Sequence, residues 1–219
     1  WRDGSWDEPI IAGSYYTQQL DQARNENRIG IYPVDPEQPV YSVWDLGIDD
    51  AMAIGLFQKF PGRLVLVHYF EGEGQGLPFY FAYLQKWREE KHVTFGKHFV
   101  PFDANQRELS TGKTRLATFQ AAGFDVELVP KIDVADGIQK VRLMLAHTFV
   151  NEPECEVWLS ATRNYRKEFD AKNNIYLPKP VHDWSSHACD SLELMARTWQ
   201  DRGTTMADVK TDEHHALFH

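Results

Sequence analysis

The sequence is poor in three features that would each define a specialised class of protein. It has only two cysteines, Cys155 and Cys189, too few for a disulfide framework or a cysteine-rich metal site, so a reducing compartment is expected. Its apolar runs fall far short of the roughly 20 residues that span a bilayer, and no membrane partner is expected. Acidic residues number 32 against 23 lysines and arginines, a net charge of −9. A generally basic nucleic-acid coat is therefore excluded, whereas a local acidic site for a divalent metal is not.

What the sequence does contain predicts a folded α/β protein. Hydrophobic residues make up 42% of the chain, enough for a core. Hairpin strands followed by alternating helices and strands predict a mixed β-sheet flanked by helices, with a basic β-hairpin arm at 161–180. The predicted elements are strands at 40–46, 51–60, 63–71, 96–103, 124–129 and 156–159, and helices at 14–28, 77–91, 113–122, 134–149 and 185–201.

The first 38 residues differ in pattern from the rest of the chain. A polar stretch of helical propensity is followed by Pro33, Pro36 and Pro39, which forbid helix and predict an extended connector. We expect such a segment in a fragment of a longer protein. The predicted organisation is a linker and helix segment at 1–38, the main domain at 39–202 and a tail without fold signal at 203–219.

Three aspartates lie at the ends of predicted elements or in apolar company. Asp45 ends the first strand, Asp103 ends the fourth, and Asp190 lies among small and apolar residues of the last helix. None has a lysine or arginine within two residues, although a buried unpaired carboxylate is costly. If the two strands are neighbours and the helix crosses their edge, the three carboxylates converge. Oxygen ligands of this kind suit Mg²⁺ or Mn²⁺, and a pair of such ions supports phosphodiester hydrolysis.

Each of these aspartates could instead be a turn residue or a helix cap, and three further residues share the ambiguity. Asp50, at the start of the second strand, is either a metal ligand or a turn residue. Asp183 either caps the last helix or, seven residues before Asp190, points toward the same site. His187 either supports the site, by orienting the Asp190 carboxylate or contacting an attacking water, or is a packed histidine.

The predicted arm at 161–180 is locally basic, with five basic residues against two acidic ones, a net charge of +3. Such a hairpin either steers a phosphate backbone toward the metals or is a solvated surface. Phosphate contacts fix position without reading bases, so little base specificity is expected. The candidate DNA-binding residues are Arg163, Arg166, Lys167, Lys172 and Lys179.

Three segments resemble the large terminase subunit of tailed phages. They are YSVWDLGIDDAMAI at 41–54, FDAN at 102–105 and PVHDWSSHACD at 180–190. The similarity covers the C-terminal nuclease domain of that family, over residues 35 to 202, and GSYYTQQL at 13–20 is similar to the segment that leaves its ATPase domain. The resemblance implies an RNase H-like fold and assigns acidic metal-binding positions to Asp45, Asp103 and Asp190, with Asp50 and Asp183 matching further acidic positions.

That resemblance also implies an activity and partners. The activity is metal-dependent endonucleolytic cleavage of concatemeric viral duplex DNA during genome packaging in the host cytoplasm, by two-metal-ion hydrolysis. The implied partners are duplex DNA, an N-terminal ATPase domain, the portal ring and the small terminase subunit. The chain itself shows no motor motif, because Arg107 stands where a P-loop ending at Thr114 needs its first glycine. The alternatives are another RNase H-like nuclease, of the resolvase or transposase type, and a module that docks DNA or the portal without cutting.

Overall fold

The computed structural model describes residues 12–47, 51–107 and 112–200, and of Gln200 only the backbone. Asp50 lies outside the described residues. The described strands are β1 (Ile29–Gly30), β2 (Val40–Asp45), β3 (Met52–Phe60), β4 (Arg63–Gly72), β5 (Phe95–Pro101), β6 (Val126–Val129), β7 (Thr148–Asn151), β8 (Lys167–Asp170) and β9 (Ile175–Pro180).

Six α-helices and one 3₁₀ turn accompany these strands in the described part of the chain. None of these helices has the combined length and apolarity needed to cross a membrane. Their bounds are α1 (Thr17–Asn25), α2 (Leu77–Lys91), the 3₁₀ turn (Phe102–Asn105), α3 (Arg115–Ala121), α4 (Val134–Leu145), α5 (Glu152–Asn164) and α6 (Ser186–Gln200).

Seven strands form one mixed sheet in the order β1-β7-β4-β3-β2-β5-β6. Strands β2, β3 and β4 are an antiparallel meander, and its second turn uses Gly62 at a φ of 68°, a conformation that glycine adopts without strain. Strands β5 and β6 run parallel to β2, because each is reached through a crossover helix. The carboxyl ends of β2, β5 and β6 therefore lie at one edge of the sheet.

Helices cover both faces of this sheet, which confirms the predicted mixed α/β architecture. Side chains alternate across each strand, so Val43 packs into the core beneath α1, α4, α5 and α6, whereas Trp44 packs into the core beneath α2 and α3. Helix α6 lies against β2, β3 and β5. Its buried face carries the small residues Ala188 and Cys189, which allow the helix to approach the sheet closely.

The N-terminal segment is part of the same packing unit. Tyr16 and Leu20 lie in the first core, and β1 pairs in parallel with β7 at the edge of the sheet. The buried Arg28 donates to the carbonyl oxygens of Leu145 and Thr148, at 2.6 and 2.9 Å. Among the described residues, α1 and β1 thus pack against the same sheet and core as the elements after residue 38.

Two sequence-based elements are wrong. The strand predicted at 156–159 lies inside α5, because Pro153 occupies the first turn of a helix that runs through this short apolar stretch. The helix predicted at 134–149 ends at Leu145, and β7 follows it. Strand β7 is stabilised by parallel pairing with both β4 and β1, a non-local interaction that a short segment does not reveal.

Candidate metal centre

Strands β2 and β5 are hydrogen-bonded neighbours. This is the condition under which the sequence predicted that Asp45 and Asp103 lie close together. Val43 pairs with Phe99, and continuing this register places Asp45 opposite Pro101, two residues before Asp103. The backbones of the two aspartates therefore lie at the same edge of the sheet, on strands about 4.8 Å apart. Asp103 lies in the 3₁₀ turn with an exposed side chain, and no hydrogen bond or ion pair joins it to Asp45 or Asp190.

Helix α6 brings its first turn over the end of β2. Nδ1 of His187 lies 3.3 Å from Oδ2 of Asp45, and the two side chains are only 14% and 21% exposed. The structure thus places His187 against Asp45, whereas the sequence pointed to Asp190 as its neighbour. This contact lies in the first turn of α6, and Asp190 follows it one helical turn later.

Asp190 is a partly buried carboxyl group whose ionisation is disfavoured by its surroundings. Burial, together with the negative charges of Asp45 and Glu193, raises its pKa to about 7, against the opposing effect of His187 and Arg197. Asp45 is therefore close enough to repel Asp190 through a poorly solvated region. Neither carboxylate forms an ion pair with a lysine or arginine of the described residues. A pair of carboxylates in this state favours a cation between them.

Sequence reasoning missed Glu193, the second carboxylate on α6. Glu193 is 8% exposed and accepts a hydrogen bond of 2.9 Å from Nη2 of Arg197, whose Nη1 donates to the carbonyl of Pro130 at 2.8 Å. Burial raises the pKa of Glu193, and Arg197 opposes that rise. Residue 137 must be small here, since a Cβ on Gly137 would lie 2.6 Å from the Glu193 carboxyl carbon. The spacing of Glu193 and Arg197, four residues apart on a helix, was the available signal.

A second missed acidic residue lies on β4. Asp45 pairs with Ala53 and Ala53 pairs with Glu71, so Glu71 occupies the same row of the sheet two strands away. The Tyr69 hydroxyl donates to Oε2 of Glu71 at 2.6 Å. Burial, and then the hydrogen bond and charge of Glu71, hold the pKa of Tyr69 far above its usual range, and Asp45 adds to the effect. This placement depends on the strand register, which the sequence alone does not provide.

Asp183 uses its carboxylate locally. Oδ1 accepts hydrogen bonds from the Ser185 amide at 2.9 Å and the Ser185 hydroxyl at 2.6 Å, and Oδ2 pairs with Nη1 of Arg166 at 3.0 Å. Burial alone would raise its pKa, but the hydrogen bonds from Ser185 and the charge of Arg166 outweigh burial and lower it. This geometry is that of a residue that caps the turn leading into α6 and ties that turn to the arm.

The basic arm contains the predicted hairpin, formed by the antiparallel pair β8 and β9. Arg163, predicted to contact DNA, lies within α5, is 5% exposed, and pairs with Asp21 at 2.8 Å, so its guanidinium is largely withdrawn from solvent. Lys172 lies exposed in the turn. Lys179 is exposed but pairs with Glu168 at 2.7 Å, and the Lys167 ammonium lies 6.0 Å from the centre of the Tyr15 ring.

The donor set fits a hard divalent cation only in part. Asp45 and Asp190 are partly shielded carboxylates without a lysine or arginine ion pair among the described residues, and oxygen donors of this kind suit such a cation. Within residues 12–47, 51–107 and 112–200, no three His, Cys, Asp or Glu side chains are arranged so that they could hold a metal ion. The structure thus places Asp45 and Asp103 at the same end of the sheet, and brings the first turn of α6, which precedes Asp190, against Asp45.

The class of fold follows from the sheet. The sheet is an antiparallel meander extended by β5 and β6 on one side and by β7 and β1 on the other, with helices on both faces. Acidic residues lie where the strands end together. This is an RNase H-like architecture. No family model matches the sequence, and no curated protein matches it.

Solved structures of large terminases and their nuclease domains share this fold. The large terminase of a thermophilic bacteriophage, solved in complex with ADP, superposes with a TM-score of 0.65 at 22% identity, covering 85% of this chain and 44% of that chain. The P22 large terminase nuclease domain gives 0.59 at 17% identity, covering 80% and 89%. The nuclease of the thermophilic phage G20c with bound cobalt gives 0.56 at 16% identity, covering 85% and 97%.

These likenesses define which part of a terminase the chain is similar to. The chain spans less than half the length of the ADP-bound large terminase but matches nearly all of the G20c nuclease. The resemblance to the C-terminal nuclease domain of large terminases, noted from the sequence motifs, is confirmed at the level of the fold.

Proposed function

We propose that this protein is a metal-dependent endonuclease that cleaves concatemeric viral duplex DNA during genome packaging. The observation that carries the proposal is the contact between His187 of α6 and Asp45 at the end of β2, which brings the helix of Asp190 over Asp45 in a fold shared with terminase nucleases. Structures of the similar G20c nuclease have bound cobalt in one case and bound magnesium in another.

In this proposal Asp45 and Asp190 hold Mg²⁺ or Mn²⁺, and Asp103 completes the site from the end of β5. Two such ions, when bound, would activate a water and stabilise the leaving oxygen of the phosphodiester. His187 holds the Asp45 carboxylate in place through Nδ1. Asp50 stays a further candidate ligand, whereas Asp183 would first have to release Ser185 and Arg166.

DNA binding must be local on a chain with a net charge of −9. The arm supplies Arg166, Lys167, Lys172 and Lys179, and its base is joined to the turn before α6 through the Arg166–Asp183 ion pair. A phosphate backbone lying on the hairpin would thus be guided toward the end of the sheet that carries Asp45, Asp103 and Asp190, which we call the carboxylate edge. The affinity should fall steeply with salt and should show little base preference.

The partners and location proposed from the terminase likeness are those of a packaging enzyme. They are duplex DNA, an N-terminal ATPase domain in the same full-length protein, the portal ring and the small terminase subunit, in the host cytoplasm. Co-purification of the chain with each separately expressed partner tests these associations.

Plasmid cleavage tests the proposed activity. Asp45→Asn and Asp190→Asn should each lower Mn²⁺-supported cleavage by more than about 100-fold, since loss of outer-shell residues alone costs 10–100-fold. Asp125→Asn is the matched control, because Asp125 is exposed at the start of β6, at the opposite edge of the sheet. Cleavage that survives both site substitutions would refute the proposal.

A second candidate function is a module that holds DNA or the portal without cutting. It is favoured by the exposed and separate position of Asp103 and by the lack of a three-residue metal-binding group among the described residues. Under this alternative, DNA retention survives Asp45→Asn and no substrate is cut. Assays on linear duplex, four-way junction and RNA–DNA hybrid separate it from the proposed nuclease and from a resolvase-type enzyme.

A further inference from the structure

Two exposed aromatic side chains stand at the carboxylate edge. Phe102 is 59% exposed and Trp184 is 51% exposed. Neither ring stacks on another ring or on a cation of the described residues. Other exposed aromatic rings differ in this respect, since Phe79 contacts Phe70 and Tyr80. A single exposed apolar residue needs no explanation, but two unpacked rings at one edge do.

The chain places both rings beside the candidate metal ligands. Phe102 immediately precedes Asp103 in the 3₁₀ turn that follows β5. Trp184 immediately follows Asp183 and lies three residues before His187, which contacts Asp45 at 3.3 Å. The two rings thus come from two separate segments that lead from and into elements contacting β2, namely the turn after β5 and the turn before α6.

We propose that Phe102 and Trp184 are specificity residues that stack on bases next to the scissile phosphodiester, so that the preferred substrate is duplex DNA with a locally unstacked step. This inference rests on the proposed function and names the substrate form that the same site takes. An aromatic ring stacks on any base, which agrees with the low base specificity expected of the arm. Apolar side chains inserted between base steps also open and kink a duplex.

The charges around the two rings favour nucleic acid as the occupant. Arg166 lies at the Asp183 carboxylate, next to Trp184, and leads into the hairpin that carries Lys167 and Lys172. In this proposal a strand whose phosphates contact these cations presents its bases to the rings, and its backbone passes Asp45 and Asp190, where the proposed ion binds.

The test compares cleavage of two short duplexes by Phe102→Ala, Trp184→Ala and the double variant. One duplex is fully paired, and the other carries a mismatched bubble at the same step. The double variant should cut the paired duplex about 10-fold more slowly, as expected for loss of base stacking, and the bubble nearly as fast as the wild type. Its Mn²⁺ affinity should be unchanged, and Phe79→Ala is the matched control that should leave both rates unchanged.

A binding measurement keeps the inference separate from the proposed cleavage. The paired duplex carries a fluorescent adenine analogue that brightens when it is unstacked, and is bound by the Asp45→Asn protein. Brightening that is lost in the double variant on this background supports stacking even if the wild type cuts no DNA, in which case only the proposed nuclease function fails. An unchanged ratio of cleavage rates, or a signal that survives loss of both rings, would overturn the inference.

Discussion

The carboxylate edge and the β8–β9 hairpin both contain acidic residues, but these residues differ in whether a neighbouring group pairs with their charge. At the edge, Asp45 and Asp190 repel each other through a shielded region, and the pKa of Asp190 is raised to about 7. On the hairpin, Lys179 pairs with Glu168, and Asp170 accepts hydrogen bonds from Lys172 and Asn173 of its own turn. Among the described residues, the two aspartates at the edge therefore form no ion pair with a lysine or arginine, whereas both acidic residues of the hairpin are paired or hydrogen-bonded locally and the hairpin keeps a net positive charge.

This contrast assigns different roles to the two regions. Ionisation of Asp190 is disfavoured by burial and by the charges of Asp45 and Glu193, and the cation proposed for this site would relieve that cost. Exposed ion pairs contribute only about 0–1 kcal/mol, so the hairpin can exchange its internal partners for phosphates at small cost. The edge is suited to chemistry and the hairpin to reversible contact.

The largest expected effect concerns the charge of Asp190 in the metal-free protein. Its folded-state pKa is about 7, against an ordinary value of 3.8. Ionisation therefore disfavours the folded state increasingly as the pH rises from the lower value to the higher one. Asp190→Asn removes this penalty and should stabilise the metal-free protein by roughly 4 kcal/mol at about pH 8, with the difference shrinking toward pH 4.

Urea unfolding with a chelator present measures this difference. Added Mg²⁺ should then stabilise the wild type but not Asp190→Asn, because only the wild type keeps both carboxylates. An Asp190→Asn protein that is no more stable than the wild type near pH 8 would mean that the edge is not under electrostatic stress, and the contrast with the hairpin would be lost.

An intermediate effect is expected at Arg163, which sequence reasoning assigned to DNA. Its guanidinium is 7% exposed and pairs with Asp21, which is 41% exposed, so it ties α5 to α1. Arg163→Ala should lower the free energy of unfolding by about 2 kcal/mol, less than for a fully buried pair. DNA affinity of the folded fraction should not change. Weaker DNA binding at unaltered stability would instead restore the assignment to DNA.

The smallest effect is expected on the hairpin surface. Lys172→Ala and Lys179→Ala should each weaken DNA binding only a few-fold, and each lost phosphate contact should reduce the salt slope by about 1. Lys179 should matter less, because its ammonium already pairs with Glu168. Lys86→Ala on α2, where the side chain is 77% exposed, is the control. A salt titration that is the same for all three variants and the wild type would exclude the hairpin as a DNA contact.

The sequence predicted the parts of the site that depend on strand ends and helix faces. Asp45 ends β2 as predicted, whereas Asp103 lies in the 3₁₀ turn two residues after β5, the parallel neighbour of β2. Asp190 lies on α6, which packs against β2, β3 and β5, one helical turn after the His187 that contacts Asp45. These features follow from local periodicity and from turn residues.

The rest depends on contacts between distant parts of the chain. The row from Asp45 through Ala53 to Glu71 exists only once the register is known. Arg163 and Lys172 belong to one charged stretch of sequence, yet a helix boundary buries the first and leaves the second in a turn. Net charge along a segment does not report which side chains reach solvent.

The central claim is that Asp45 and Asp190 together hold a divalent cation, and a crystal soaked in Mn²⁺ tests it most directly. The account predicts an anomalous peak within about 2.2 Å of a carboxylate oxygen of both residues, a typical distance for a hard cation. A fully occupied peak bound elsewhere, or no peak between these two side chains at saturating Mn²⁺, would contradict it.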